Sequence, residues 1–174
     1  MVDELLEVRI RPATPDDAGE IARVHIASWR EAYAGVVADE YLAELDATSR
    51  ADFWRGVLKD RPEVRVWVAE DEHDAHLHGF AALGPSRDED ADRRTLEIYS
   101  MYLEPSAWGQ GVARELLRTV VAAVPDGDPV TLWVLAANER ARRFYRRHGF
   151  SPDGVERLES LGGVQHDEVR LRRG

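Results

Sequence analysis

The sequence predicts a mixed α/β fold, one sheet of about seven strands flanked by helices, without the regular strand–helix alternation of a barrel or a doubly wound domain. Three observations carry this. Apolar or alternating runs at residues 7–11, 64–70, 77–83, 96–103 and 130–135, with two more in 150–173, have strand character. Helix-periodic stretches fall unevenly between them: three before the second strand, one after the fourth, one after the fifth. Two strand–helix junctions, at Gly109–Gly111 and at Asn138, carry helix-start residues.

Each element has a local reason. Residues 7–11 alternate as a half-buried strand does. Thr14, Pro15, Asp16 and Asp17 then supply an N-cap, a first-turn proline and acids at a helix start. That helix is expected over 15–33, with Ile21, Val24 and Ile26 inward and Gly35 as its stop, and shorter helices over 39–45 and 49–59. Residues 64–70 and 77–83 read as a hairpin across polar 71–74, and a long polar loop from Gly84 leads to the 96–103 strand. Pro105 turns the chain, and Val112, Leu116, Leu117 and Val120 give the next helix its apolar stripe. Residues 130–135 form a continuous apolar run, as in a strand buried on both faces. A helix over 138–148 stops at Gly149, and the tail forms two strands joined across Gly162–Gly163.

Whole-chain properties narrow the function classes. At 174 residues the chain is expected to be one domain, 1–174, with a real core. Its apolar and charged fractions, 44% and 32%, are those of a globular protein, and no run approaches the ~18 apolar residues of a membrane span. The start, residues 1–7, is acidic and does not read as a secretory signal, so the cytoplasm is the expected location. The absence of cysteine removes disulfides, thiolate metal sites and a cysteine-bound intermediate. A net charge of -10 argues against nucleic acid as partner. Acidic residues crowd at 88–92, either a solvated face or a rim that favours a cationic substrate, and basic ones at Arg140, Arg142, Arg143, Arg146 and Arg147.

The 96–117 segment is the densest in chemistry. A helix start presents about four unpaired N–H groups and the positive end of the macrodipole, and glycines there admit a ligand to those donors. Gly109 and Gly111 therefore read as an anion seat, most simply for phosphate, or as glycines that permit close strand–helix packing. The dinucleotide fingerprint fails because Arg114 stands where a small residue is required, and the nucleotide-hydrolase loop fails because Gly-Lys-Ser/Thr is absent.

The second dense segment, 135–150, places Asn138 at a strand–helix junction and Ala141, Phe144, Tyr145 and His148 on one helix face. Gln110-Gly111-Val112-Ala113 after a strand, followed by Ala137-Asn138-x-x-Ala141-x-x-Phe144-Tyr145-x-x-x-Gly149-Phe150, resembles the GNAT superfamily of acetyl-CoA-dependent N-acetyltransferases. The resemblance extends over nearly the whole chain, including Ile10-Arg11-Pro12-Ala13-Thr14-Pro15-Asp16-Asp17. It implies a mostly antiparallel sheet in which the strands ending near Leu103 and Leu135 splay to hold CoA. The pantetheine arm would pair with backbone at Met101 and Leu103, and the diphosphate would rest on the N–H groups of Gly109, Gln110, Gly111, Val112, Ala113 and Arg114. Asn138 and Tyr145 complete the expected cofactor contacts. The family usually has Arg or Gln where this chain has Trp108; since many diphosphate contacts in the family come from the backbone, CoA binding is expected to survive, and Gln110 or Arg114 could substitute for the side-chain contact.

The implied reaction is direct attack of a small-molecule primary amine on the thioester of acetyl-CoA. An alkylamine of pKa ~10.4 is only about 0.04% neutral at pH 7, so a base is needed. Glu97 is the first candidate: strand alternation would put it on one face with Tyr99, Met101 and Leu103, where apolar neighbours raise a carboxyl. Glu168 is the second. Tyr145 matches the family tyrosine near the CoA sulfur; because a phenol at ~10 is a weaker acid than a thiol at ~8.5, uphill by about 2 kcal/mol, a hydrogen bond to the developing thiolate is the expected role. Trp29, Tyr33 and Tyr41 would wall the acceptor pocket, with Ser86 and Arg87 in the loop beside it. The alternatives are a protein or peptide acceptor, which needs an open groove, and a non-catalytic acyl-CoA-binding module. A monomer or homodimer is expected. His76 and His78 share a strand face near His73, but with no further ligand at metal spacing they read as a wet hairpin, and no metal is expected.

Overall fold

The structure, a computed structural model, describes residues 5–174; the acidic start therefore lies in part outside the described residues. Seven strands form one sheet: β1 (Val8–Pro12), β2 (Arg65–Asp71), β3 (Leu77–Pro85), β4 (Leu96–Leu103), β5 (Val130–Leu135), β6 (Ser151–Leu161) and β7 (Val164–Arg173), in the order β1-β2-β3-β4-β5-β7-β6. Every pairing is antiparallel except β4 with β5. The mostly antiparallel α/β sheet with flanking helices is thus as expected. The helices are α1 (Ala18–Ala32), α2 (Asp39–Ala43), α3 (Ala47–Asp60), α4 (Val112–Ala122) and α5 (Glu139–Arg147).

Helix boundaries shift by caps. Asp17 Oδ2 accepts from the Thr14 N–H at 2.8 Å, which tightens Pro15–Asp17 into a 3-10 turn, so α1 starts at Ala18 instead of Pro15. Asp46 accepts from the N–H groups of Thr48 and Ser49 and starts α3 two residues before the expected Ser49.

The sheet buries both faces. On one, α4 sets Val112, Leu116, Leu117 and Val120 against Ala81, Leu83, Ile98 and Leu132. On the other, Ile21 and Val24 of α1 and Trp54 and Val57 of α3 cover Val66, Val68 and Phe80. Each such side chain contributes roughly 1.5–3 kcal/mol by leaving water. A third cluster joins the end of α1 and α2 to the β6–β7 hairpin tip through Tyr33, Val37, Leu42, Leu135 and Leu161.

Two irregularities position the site. β4 and β5 pair only at Leu96↔Val130, Glu97↔Thr131 and Ile98↔Leu132, then part. Just past the last β4–β5 pair, Leu83 pairs with Ile98 but Ala82 with Ser100, so Tyr99 is an extra residue on β4, a β-bulge. A bulge reverses which face the following residues occupy. Met101 and Leu103 therefore join Ile98 on the α4 side, and Glu97 points to the opposite face. The expected sharing of a face by Glu97, Met101 and Leu103 is overturned.

Candidate active site

Where β4 and β5 part, a cleft of about 820 Å³ opens, floored by residues 98–103 of β4 and 132–135 of β5. One wall is the turn into α4. Gly109 and Gly111 adopt φ of 76° and 85°, a left-handed conformation that suits glycine, and Gly111 is the N-cap of α4. Among the described residues, no acceptor bonds the N–H groups of Gly109, Gly111, Val112, Ala113 or Arg114, whereas Gln110 N–H donates to Ala107 at 3.4 Å. Five free donors at a helix start form an anion seat. Met101, Leu103, Gly109, Gly111, Ala113, Arg114, Asn138 and Tyr145 all line the cleft. The Gln110 side chain does not, and that of Val112 is core, 1% exposed.

The opposite wall is α5. Asn138 caps it, its Oδ1 accepting from Ala141 N–H at 3.2 Å. Arg140, Arg143 and Arg147 line the cleft with Arg114 across from them, so the basic run is in part a cationic lining. Sequence reasoning had no means of assigning these arginines to the cleft, because only the splay brings α4 and α5 to one opening. Trp108 also lines it: its Nε1 donates to the Leu103 carbonyl at 3.1 Å and its ring lies under the Arg140 guanidinium at 3.7 Å. Trp108 thereby bridges the two walls, with the Arg140 guanidinium stacked on it.

Deeper in, Tyr145 is 7% exposed and packs edge-on against Phe144 and Phe150. Burial raises its phenol well above the ordinary value, and burial raises Tyr33 and Tyr102 likewise, with the Glu168 charge adding to the shift of both. Three phenols thus meet here beside Glu168. Glu168 lines the cleft, 9% exposed, with Oε1 held by Arg157 Nε at 2.8 Å. Trp29 and Tyr33 line it as expected, their rings edge to face at 4.9 Å, and Trp29 Nε1 is buried without a hydrogen-bond partner among the described residues. Glu159 and Trp133 complete this end.

Three expected site residues are elsewhere. Glu97 is 1% exposed and outside the cleft lining. Its carboxylate accepts from the Arg87 N–H at 3.0 Å and from the Arg87 guanidinium at 2.6 Å. Arg87 is occupied by Glu97 and stacked on Tyr99 at 4.2 Å, and Ser86 Oγ accepts from Asp88 N–H. None of the three reaches the cleft, because the bulge turns Glu97 away and the loop folds over it. Tyr41 packs against the hairpin tip with α2 and is not part of the cleft lining. The acidic rim is spent on structure: Arg170 binds Asp88, Asp90 and Asp153, and Trp133 Nε1 donates to Asp88 at 3.0 Å. Nor is the histidine pair a wet hairpin. His78 is 8% exposed, and Glu104, distant in sequence, lies within hydrogen-bond distance of both His76 and His78.

Comparison with known proteins agrees with this geometry. The Acetyltransferase (GNAT) family matches residues 24–150. The uncharacterized N-acetyltransferase YuaI of Bacillus subtilis (strain 168) is 33% identical over 167 residues, covering 94% of this chain and 91% of the relative. The peptidyl-lysine N-acetyltransferase YjaB of Escherichia coli (strain K12) is 29% identical over 123 residues, 71% of this chain and 69% of that protein. The PaiA N-acetyltransferase from Thermoplasma acidophilum, solved in complex with coenzyme A, superposes with a TM-score of 0.72 at 18% identity, over 97% of this chain and 99% of that one. With a splayed β4–β5 pair, a glycine-opened helix start and a family match spanning both, the chain belongs to the acetyltransferase (GNAT) family of acyl-CoA-dependent N-acyltransferases.

Proposed function

We propose that the chain, acting as one unit over residues 1–174, transfers an acetyl group from acetyl-CoA to the primary amine of a small molecule. The observation that supports the small-molecule assignment is the packing beside the acceptor end. Tyr33, Leu135 and Leu161, which line the cleft, pack in one cluster with Val37 and Leu42, so α2 and the hairpin tip are held together next to it. At the tip a Cβ on Gly162 would sit 2.9 Å from Tyr41 Cβ, which is intimate contact. A peptide acceptor needs an open groove to take the chain that carries the amine; a compact amine does not.

The chain's own residues fit the donor. Free N–H groups of Gly109, Gly111, Val112, Ala113 and Arg114 would hold the diphosphate, with Arg114, Arg140, Arg143 and Arg147 adding positive charge. The Met101 and Leu103 backbone, on the edge of β4 that β5 has left, would pair with the pantetheine arm, with Asn138 beside it. Acetyl-CoA, when bound, supplies an activated acyl carbon and a thiolate leaving group. Glu168 replaces Glu97 as the base: it lines the cleft beside Tyr33, Tyr102 and Tyr145, and its second oxygen has no partner among the described residues. Tyr145 donates a hydrogen bond to the sulfur as negative charge develops there. Trp29 and Tyr33 orient the amine. No metal takes part in the transfer. The acidic chain, of net charge -10, meets its acceptor in the cytoplasm without nucleic acid or membrane, as a monomer or homodimer.

The test is thiol release from acetyl-CoA with a panel of primary alkylamines and amino compounds beside a panel of lysine peptides. Release with small amines and not with peptides is expected. Release with peptides alone would move the acceptor to proteins, as for YjaB, and measurable CoA binding without release from any acceptor would mark a non-catalytic module.

A further inference from the structure

Apart from the cleft, the start of β3 meets the end of β4 in a cluster of facing titratable groups. His78 Nδ1 lies 2.7 Å from Glu104 Oε1, and its Nε2 lies 3.0 Å from Asp71 Oδ2. His76 Nε2 lies 2.8 and 3.0 Å from the two Glu104 oxygens. Arg23 Nη1 donates to Glu104 Oε2 at 2.8 Å. A neutral imidazole has one N–H for two ring nitrogens. Both nitrogens of His78 face carboxylate oxygens, which requires a proton on each or a cation between one nitrogen and its carboxylate.

We infer that His76 Nε2, His78 Nδ1 and Glu104 Oε1 form a binding site for a divalent transition metal of the zinc type. One ligand atom from each of the three residues lies within 4.8 Å of the other two. Two imidazoles and a carboxylate are a zinc donor set, and ligands about 2.0–2.2 Å from a tetrahedral ion stand about 3.4 Å from one another. Metal binding would lengthen the two contacts of Glu104 Oε1, 2.7 Å to His78 and 2.8 Å to His76, by about 0.7 Å. The surroundings favour the arrangement. Asp71 on Nε2 keeps the Nδ1 lone pair of His78 directed at the ion, the carboxylate–histidine–metal pattern. Arg23 retains the other oxygen of Glu104 and leaves one for the metal. The His78 and Glu104 side chains are 10% and 9% exposed, but that of His76 is 40% exposed, so an ion enters from solvent and a water completes the shell. Glu104 directly precedes the 3-10 turn Pro105–Ala107 that leads to Gly109, so the ion would staple the β3 start to the root of the anion-binding turn.

The experiment uses the whole chain stripped with a chelator and titrated with zinc by calorimetry and with Co2+ by visible absorption. One zinc per chain is expected, with tetrahedral Co2+ bands and a higher melting temperature in zinc. H76Q, at the half-exposed ligand, is expected to lower affinity at least tenfold in a folded protein checked by circular dichroism. D71N should lower it about 10- to 100-fold. H73Q, which changes an exposed histidine outside the set, should leave it unchanged. Absence of stoichiometric binding overturns the inference, as does binding that H73Q abolishes and H76Q spares. Acetyl transfer is not read in any arm, so failure here leaves the proposed reaction untouched and the reverse also holds.

Discussion

Replacing Tyr145 with phenylalanine removes one oxygen and nothing that the core depends on. The ring packs edge-on at 5.2 Å from Phe144 and 5.6 Å from Phe150, contacts that phenylalanine keeps. Its shifted acidity traces to burial and the neighbouring Tyr33, with no hydrogen bond contributing, so no buried partner is orphaned by the change. Folding stability should therefore move by less than about 0.5 kcal/mol, as for a substitution outside the destabilising classes. Catalysis should move far more. A hydrogen bond to a charged group is worth about 1.5–3 kcal/mol, and one made only as the thiolate develops appears entirely in kcat, which should fall about 10- to 150-fold. Because burial makes this phenol a still poorer acid, the effect should follow the lost hydrogen bond and not a lost proton transfer, and the pH profile of kcat should keep its shape. Steady-state thiol release gives kcat, calorimetry the CoA affinity, and a thermal melt the stability. Unchanged kcat, or a fall in kcat matched by an equal loss of CoA affinity, would refute the role.

Three further outcomes follow from the geometry. Glu168→Gln should lower kcat at least 100-fold at constant donor affinity, the range of general base catalysis, whereas Glu97→Gln in a folded protein should keep wild-type kcat within a factor of about three, the carboxylate lying outside the cleft; the opposite ranking restores Glu97. Gly162→Ala forces a side chain into a φ of +60° and against Tyr41. It should cost about 1–3 kcal/mol and raise KM for the amine without changing CoA affinity, and a change in CoA affinity would place the hairpin tip at the wrong end of the cleft. Burial works to raise the Asp17 carboxyl, but hydrogen bonds from Arg11 and the Thr14 N–H outweigh it and hold it below its ordinary value, while hydrogen bonds from Arg11 and Arg9 lower Glu70. Depressed carboxyls stabilise the fold above their unfolded values and lose that contribution as pH falls through the folded ones, so urea midpoints should drop between about pH 5 and pH 2. Arg11→Met should flatten that limb, and an unaltered slope would place the acid sensitivity in other groups.

The elements themselves were legible because their causes are local. Caps, glycines and apolar periods within ten or so residues of one another dictate where β4 ends and α4 begins, and Gly109, Gly111, Asn138 and Tyr145 sit where those signals put them. Alternation along β4 failed at a single residue. A bulge at Tyr99 depends on how β4 registers with β3, and it alone decides that Glu97 faces Arg87 instead of sharing a face with Met101.

Charge was read least well, and for the same reason. Residues 88–92 look like an acidic rim in one dimension; Arg170, some eighty positions away, turns Asp88 and Asp90 into anchors that tie this loop to β7. His76 and His78 look incomplete until Glu104 arrives from the next strand. The amino-acid sequence by itself thus determined the order of elements, the family and the donor half of the cleft, since these rest on short-range backbone chemistry. Only the tertiary structure decided that Glu168 lines the cleft while Glu97 is buried against Arg87 outside it, because an ionised group takes its surroundings from partners that the fold, and not the chain, makes its neighbours.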